Sequence, residues 1–350
     1  MESVDQIDTN INNSQNFLSQ TEIEHKKYQI VNQVGIIYAI GIAIISQVGE
    51  IYFILLKKYF TDFFKTKKGD SILVGTLIVN QIFGTLLMFL MTKFIKKLTI
   101  KKCSYGCKKF LANIFVNEGL TFIGFLLGHL FEIFLISIFI KKKIDSEKTN
   151  LDNSNIFLNI LVTCITAPIA EELMYRKFLI DRLSIYSKTL AIFSSGIMFG
   201  IFHTNFQQIF GAMFGGWALA YAYAETGNIL LTIFYHIYEN SFASLITFLY
   251  PKDKINRTKE KICVLMVFLR LLNGLIGIII LIIYRKKIKV SGEENKSRDK
   301  WKFFKSYGMW IFIIEGFVLS FILYMSLIIV ATTPNFKFFK YFFNLILLFK

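Results

Sequence analysis

Nine apolar stretches run through this chain, at about residues 28–56, 72–95, 110–140, 155–182, 187–205, 208–225, 228–250, 262–284 and 309–333, with short Lys-rich connectors between them. A helix needs roughly 20 apolar residues to cross the hydrocarbon core of a bilayer, because each residue rises only about 1.5 Å. Within lipid an unpaired backbone group has no water to turn to, so each crossing has to be helical. The pattern therefore predicts an all-α fold, a polytopic transmembrane helix bundle of about 8–9 spans. The 350 residues would otherwise be enough for two or three soluble domains, but 54% are hydrophobic and they arrive in blocks. Residues 1–27 read as a polar tail, 28–333 as the membrane domain and 334–350 as an interfacial tail of aromatic and basic residues. The first and third blocks exceed one crossing, which predicts a strong tilt or an interfacial turn. Pro251 and Pro334 close spans, as residues that cannot continue a helix.

The net charge of +16 does not mark a nucleic-acid binder. Its Lys and Arg lie beside apolar spans, where anionic headgroups are the nearest partner. They divide almost evenly between the two membrane sides, with a slight excess that favours a cytoplasmic N-terminus. Lys far outnumbers Arg, and Ile, Phe and Asn are abundant, a bias expected of an AT-rich bacterial genome. The expected location is the plasma membrane of such a cell, crossed many times. Cys103, Cys107, Cys164 and Cys263 form no disulfide framework, and the Cys103–Cys107 loop has no His to complete a metal site. Residues 1–27 lack the basic flank and apolar run of a signal peptide, so the first span is expected to direct its own insertion.

Small residues mark where the helices pack. Ala212, Gly216, Ala220 and Ala224 recur every fourth position, and Gly196 and Gly200 repeat the interval one helix earlier. Such stripes let backbones approach closely where lipid supplies no hydrophobic drive. A tight bundle around residues 187–225 is the expectation.

Burying a charge at mid-membrane costs at least about 2.5–3.5 kcal/mol, so each intramembrane charge needs a reason. The fourth span carries Glu171, Glu172 and Arg176, the fifth ends on His203, and the seventh holds His236, Glu239 and Asn240. Glu172 and Arg176 are four residues apart and face one another as natural ion-pair partners. Glu171 is turned about 100° away on the helical wheel and is left for chemistry. Pro168 removes one backbone hydrogen bond, which in α-helical register opens the carbonyl of Cys164. Such a break is tolerated where protein or a water-filled cavity satisfies the freed group. His236 and Asn240 stack one turn apart, with Thr232 continuing the face. Each feature alone has a plain reading, a salt-bridged face for Glu-Glu-x-x-x-Arg and an interhelical hydrogen bond for a lone His. Together, in order on neighbouring spans, they predict one water-sized site between the fourth, fifth and seventh.

Two further groups need weighing. Cys164 lies on the face of Glu171, but an apolar setting disfavours the thiolate a cysteine nucleophile needs. Glu118, His129 and Glu132 share one face of the third span, which predicts that they face the bundle and either pair with Lys or Arg there or line the cavity.

At its intramembrane charges the chain resembles the CAAX protease and bacteriocin-processing family of intramembrane proteases, called CPBP or Abi. Glu171-Glu172-Leu173-Met174-Tyr175-Arg176 is similar to its Glu-Glu-x-x-x-Arg, Phe199-Gly200-Ile201-Phe202-His203 to its Phe-x-x-x-His, and His236-Ile237-Tyr238-Glu239-Asn240 to its His-x-x-x-Asn. The match covers residues 155–250. The resemblance implies an endopeptidase cutting membrane-associated, hydrophobic or lipidated peptides. Glu171 would activate a water with help from His203, His236 and Asn240 would stabilise the oxyanion or ligate a metal, and Glu172 and Arg176 would order the helix. A divalent metal, zinc by the family description, would take Glu171, His203 and His236, a ligand set with an open fourth position. A metal-free mechanism, with a carboxylate as general base, serves equally well. Two rival functions use the same charges, a proton-coupled transporter and a non-catalytic bacteriocin self-immunity protein. Transporters tend to show paired broken helices, and here Pro168 alone interrupts a span.

Overall fold

The computed structural model describes residues 20–59, 67–139, 156–249, 257–286, 288, 290 and 303–332, and it is helical throughout its regular elements. Each apolar stretch becomes one helix. In chain order these are α1 Gln20–Tyr59, α2 Lys67–Thr92, α3 Cys107–Phe139 and α4, running from Ile156 to Leu183. Then follow α5 Lys188–Phe202, α6 Phe206–Thr226, α7 Ile229–Leu249, α8 Arg257–Tyr284 and α9 Tyr307–Thr332. Among the described residues, 6 helices (α1, α2, α3, α4, α7 and α8) are long and apolar enough to cross a membrane. α5 is shorter. The excess length of the first and third blocks is unbroken helix, since α1 has 40 residues and α3 has 33. The C-terminal tail and residues 1–19 of the N-terminal tail lie outside the described residues.

The connector between α2 and α3 lies across the ends of two other helices. Leu98 N–H donates to the Asp181 carbonyl at 2.7 Å, and Cys103 N–H donates to that of Thr226 at 2.9 Å. The C-terminal ends of α2, α4 and α6 therefore gather at one end of the bundle. The main core lies among α1, α4, α5, α6 and the start of α9, with Tyr38, Tyr175, Met198, Tyr223 and Met309 fully buried.

The predicted tight packing around α5 and α6 is present. A Cβ added to Gly216 would lie 3.3 Å from the Gly196 Cα, and one on Gly200 would lie 2.4 Å from the Ile209 carbonyl oxygen. The opposite face of α6 is equally close to α3, where a Cβ on Gly124 would meet the Phe210 oxygen at 2.2 Å. α6 is thus clasped from two sides, which fixes α5 and α3 relative to each other. Ser187 starts α5 by accepting from Leu190 N–H at 3.2 Å. That helix has 15 residues. It spans about 22 Å at 1.5 Å per residue, short of a hydrocarbon core of about 30 Å. Thr204, directly after His203, has a φ of 49°, a left-handed conformation rarely tolerated by a β-branched residue.

Candidate active site

The site is built on an irregular stretch of α4. Two π-helical segments, Leu161–Thr166 and Leu173–Phe178, flank a single α-helical one, Ala167–Glu172. Pro168 explains the first. Ala167 N–H bonds the carbonyl of Val162, five residues back. In that register the next donor would be Pro168, which has no N–H, and its lost acceptor is Thr163. The α-helical register predicts Cys164 instead; the wider turn moves the orphan by one residue. Asn240 takes the place of the missing donor, its Nδ2 lying 2.8 Å from the Thr163 oxygen. Single π turns of this kind are frequent at functional sites.

Both carboxylates of the pair converge on His236. Nδ1 of His236 lies 3.0 Å from Glu172 Oε1, and Nε2 lies 3.5 Å from Glu171 Oε2. Glu172 also forms the expected ion pair with Arg176, Nε to Oε2 at 3.1 Å. Arg176 donates to Ser195 Oγ at 3.0 Å, and Ser195 donates on to the Tyr175 carbonyl at 2.8 Å. Glu172 and Arg176 are wholly buried, while the Glu171 side chain keeps 16% of its surface exposed. The division expected from helical spacing is the one observed: Glu172 is neutralised within the protein and Glu171 is accessible. A carboxylate can only accept, so Glu172 fixes a proton on Nδ1 of His236 and turns Nε2 towards Glu171.

His203 is held separately. Its Nδ1 donates to the Phe199 carbonyl at 3.1 Å, so in the neutral ring Nε2 carries the basic lone pair. Both imidazoles pack against Phe199, nearly perpendicular to its ring, with centroids 4.9 Å away for His203 and 5.5 Å for His236. The Phe199 face covers the Arg176 guanidinium at 4.8 Å. The three motif elements thus meet around Phe199.

Glu171 and His236 adjoin, and Glu172 on Nδ1 of His236 leaves Nε2 for a ligand bond, but among the described residues no three His, Cys, Asp or Glu side chains form a metal-binding group. His203 does not complete the expected set of Glu171, His203 and His236, so the residues present do not fit a zinc site. Cys164 is buried, and its polar contacts are the hydroxyls of Ser244 at 3.3 Å and Thr163 at 3.5 Å, neither of them a base.

The stripe on α3 divides. Glu118 is buried and paired with Arg270 of α8 at 3.1 Å. The His129 side chain is 58% exposed and lies 3.9 Å from Glu132 on its own helix, which corrects the expectation that all three face the bundle. The reason is coverage, since beyond Gly124 the residues Leu126, Leu127, Leu130 and Ile133 are exposed too. Sequence reasoning passed over Arg270, Asn117 and Ser195. A cation in the middle of α8 was the available signal for the first; nothing in the pattern marks the other two.

Comparison with known proteins falls on this same region. Residues 153–242 match the family model described as Type II CAAX prenyl endopeptidase Rce1-like. A protein of Bacillus subtilis (strain 168), named "Putative membrane peptidase YdiL", is 34% identical over 92 residues, which are 25% of this chain and 37% of that relative. The aligned stretch therefore spans little more than a third of the relative's length. No solved structure matches. The helices that carry Glu171, His203, His236 and Asn240 are thus the part of the chain that is similar to the Rce1-like endopeptidases and to that membrane peptidase.

Proposed function

We propose that the protein is an intramembrane endopeptidase that hydrolyses hydrophobic or lipidated peptides at the membrane. One observation carries the reading. Glu171 is accessible and lies beside His236, whose far nitrogen is held by the wholly buried Glu172. An oriented base with a fixed tautomer next to an open carboxylate is the layout that water activation requires.

In the proposed step, Glu171 accepts a proton from water while the water oxygen bonds to the scissile carbonyl carbon. His203 helps to hold that water. The resulting oxyanion is met by the second N–H of Asn240, whose first N–H is spent on Thr163. The proton on Glu171 then passes to the leaving nitrogen as the C–N bond breaks, releasing a carboxyl and an amino terminus. His236 accepts through Nε2 from Glu171 while that carboxyl carries the proton. A divalent metal would find its nearest donors in Glu171 and His236, and these two alone do not make a ligand set.

The test is comparison of peptide termini in cells holding wild-type protein or Glu171→Gln, followed by cleavage of a recovered peptide with purified protein. New termini that depend on Glu171 support the reading. Solute or proton flux that depends on His236 and Asn240, without cleavage of any peptide in a broad library, would replace it with a transporter.

A further inference from the structure

A second charged network meets α7 at Glu239, three residues beyond the histidine that holds the Glu pair. Arg270 of α8 points between two acids, with Nε 3.1 Å from Glu118 Oε2 of α3 and Nη2 2.8 Å from Glu239 Oε2 of α7. Asn117 of α3 donates from Nδ2 to the other Glu239 oxygen at 2.9 Å. Glu239 is thus held at both oxygens, one by α8 and one by α3. It immediately precedes Asn240 and lies three residues after His236, so whatever fixes it fixes the height and rotation of the motif residues on α7.

The mount is rigid. α3 and α8 meet backbone to backbone, since a Cβ on Gly277 would fall 1.8 Å from the Phe115 oxygen and one on Gly119 would fall 2.8 Å from the Gly274 oxygen. Arg270 stands one turn before Gly274, and Glu118 adjoins Gly119. Close approach at this seam sets the guanidinium against both acids with little slack. None of Asn117, Glu118 and Arg270 falls within residues 153–242, so the clamp is added from outside the matched core.

We infer that Arg270, acting through Glu239, is a positioning residue that holds His236 and Asn240 in register with α4. This rests on the proposed protease reading for its kinetic consequence, but not for its geometry. Its role differs from that of Arg176, which pairs on the site's own helix. Misplacement of reacting groups by about 1 Å costs roughly 100-fold in rate, so the clamp acts on turnover rather than on substrate affinity.

A native thiol makes the register measurable without proteolysis. Cys164 Sγ on α4 lies 3.3 Å from Ser244 Oγ, one turn beyond Asn240 on α7. In full-length protein carrying Ser244→Cys, with Cys103→Ser and Cys107→Ser to silence the exposed thiols, mild oxidation should close a disulfide to Cys164. Adding Glu239→Met removes both of its bonds yet leaves Arg270 paired with Glu118, so no charge is orphaned and folding is retained. It should slow closure by about 10-fold and, in the Ser244 parent, lower kcat by about 10- to 100-fold with KM unchanged. Glu239→Gln can still accept from Arg270 with the Asn117 amide turned, and it should restore both readouts to within about threefold. Arg270→Lys should fall between the two. Unchanged closure and unchanged kcat in Glu239→Met, or a rise in KM alone, overturns the inference. If closure slows as expected but wild-type protein cleaves no peptide, the clamp stands and the protease reading fails.

Discussion

Asn240 donates to the backbone carbonyl of Thr163 at 2.8 Å, and that carbonyl is the one Pro168 leaves without an N–H. A motif residue of α7 therefore repairs a break in α4, and the break is where the carboxylate pair sits. The same amide has a second N–H for the reaction. Its two uses can be separated by substitution.

Asn240→Ala should cut turnover by about 10²–10³-fold, the usual cost of losing an oxyanion donor. It should also destabilise the protein by about 1–3 kcal/mol, because the Thr163 carbonyl is left unpaired. Pro168→Ala supplies a backbone N–H at the right place. In the double variant, thermal unfolding should return towards the wild-type midpoint while turnover stays low. Recovery of turnover along with stability would show that Asn240 does no more than repair the helix.

Glu171 and Glu172 should fail in different ways. Glu171→Gln should lose at least about 10²–10⁴-fold in activity, with normal insertion and an unchanged unfolding midpoint. Glu172→Gln strips Arg176 of its buried counter-charge, a loss of about 3–5 kcal/mol, and should appear first as reduced accumulation and stability. Equal and complete loss of activity from both, with both proteins equally stable, would remove the division between them.

Cleavage should survive exhaustive chelation. Glu171 and His236 adjoin, yet they lack a third grouped ligand among the described residues, and a catalytic zinc uses three protein ligands. The measurement is elemental analysis of active protein alongside peptide cleavage before and after a strong chelator. Activity lost to chelation and restored by stoichiometric zinc would show that His203 swings in to complete a metal site.

Thr204 adopts a φ of 49° directly after His203. A left-handed backbone costs an ordinary residue about 1–2 kcal/mol, and Asn bears it more easily. Thr204→Asn should therefore raise the thermal midpoint in detergent. A lowered midpoint would mean that the Thr204 side chain contributes more than its backbone costs.

Much of the site was legible because helical spacing is a local rule. The i,i+4 spacing alone paired Glu172 with Arg176 and turned Glu171 away. The small-residue stripe located the tight α5–α6 contact for the same reason. The Pro168 orphan was read one residue off, since the sequence gives no sign of a π turn whose widening depends on what α7 offers to it. His129 was turned to the bundle on periodicity, which describes the face of a helix but not where its neighbours stop.

Apolar block length by itself determined that the chain is a helical membrane bundle, because in lipid the backbone has to satisfy itself within each segment. The order of Glu171, Glu172, Arg176, His203, His236 and Asn240 along three such segments determined which residues to watch. Only the tertiary structure decided that both carboxylates share His236, that both imidazoles pack against the Phe199 ring, and that Arg270 of α8 grips Glu239. These are relations between helices far apart in the chain. They are set by how closely glycine seams let the backbones approach, a distance that no spacing within one helix encodes.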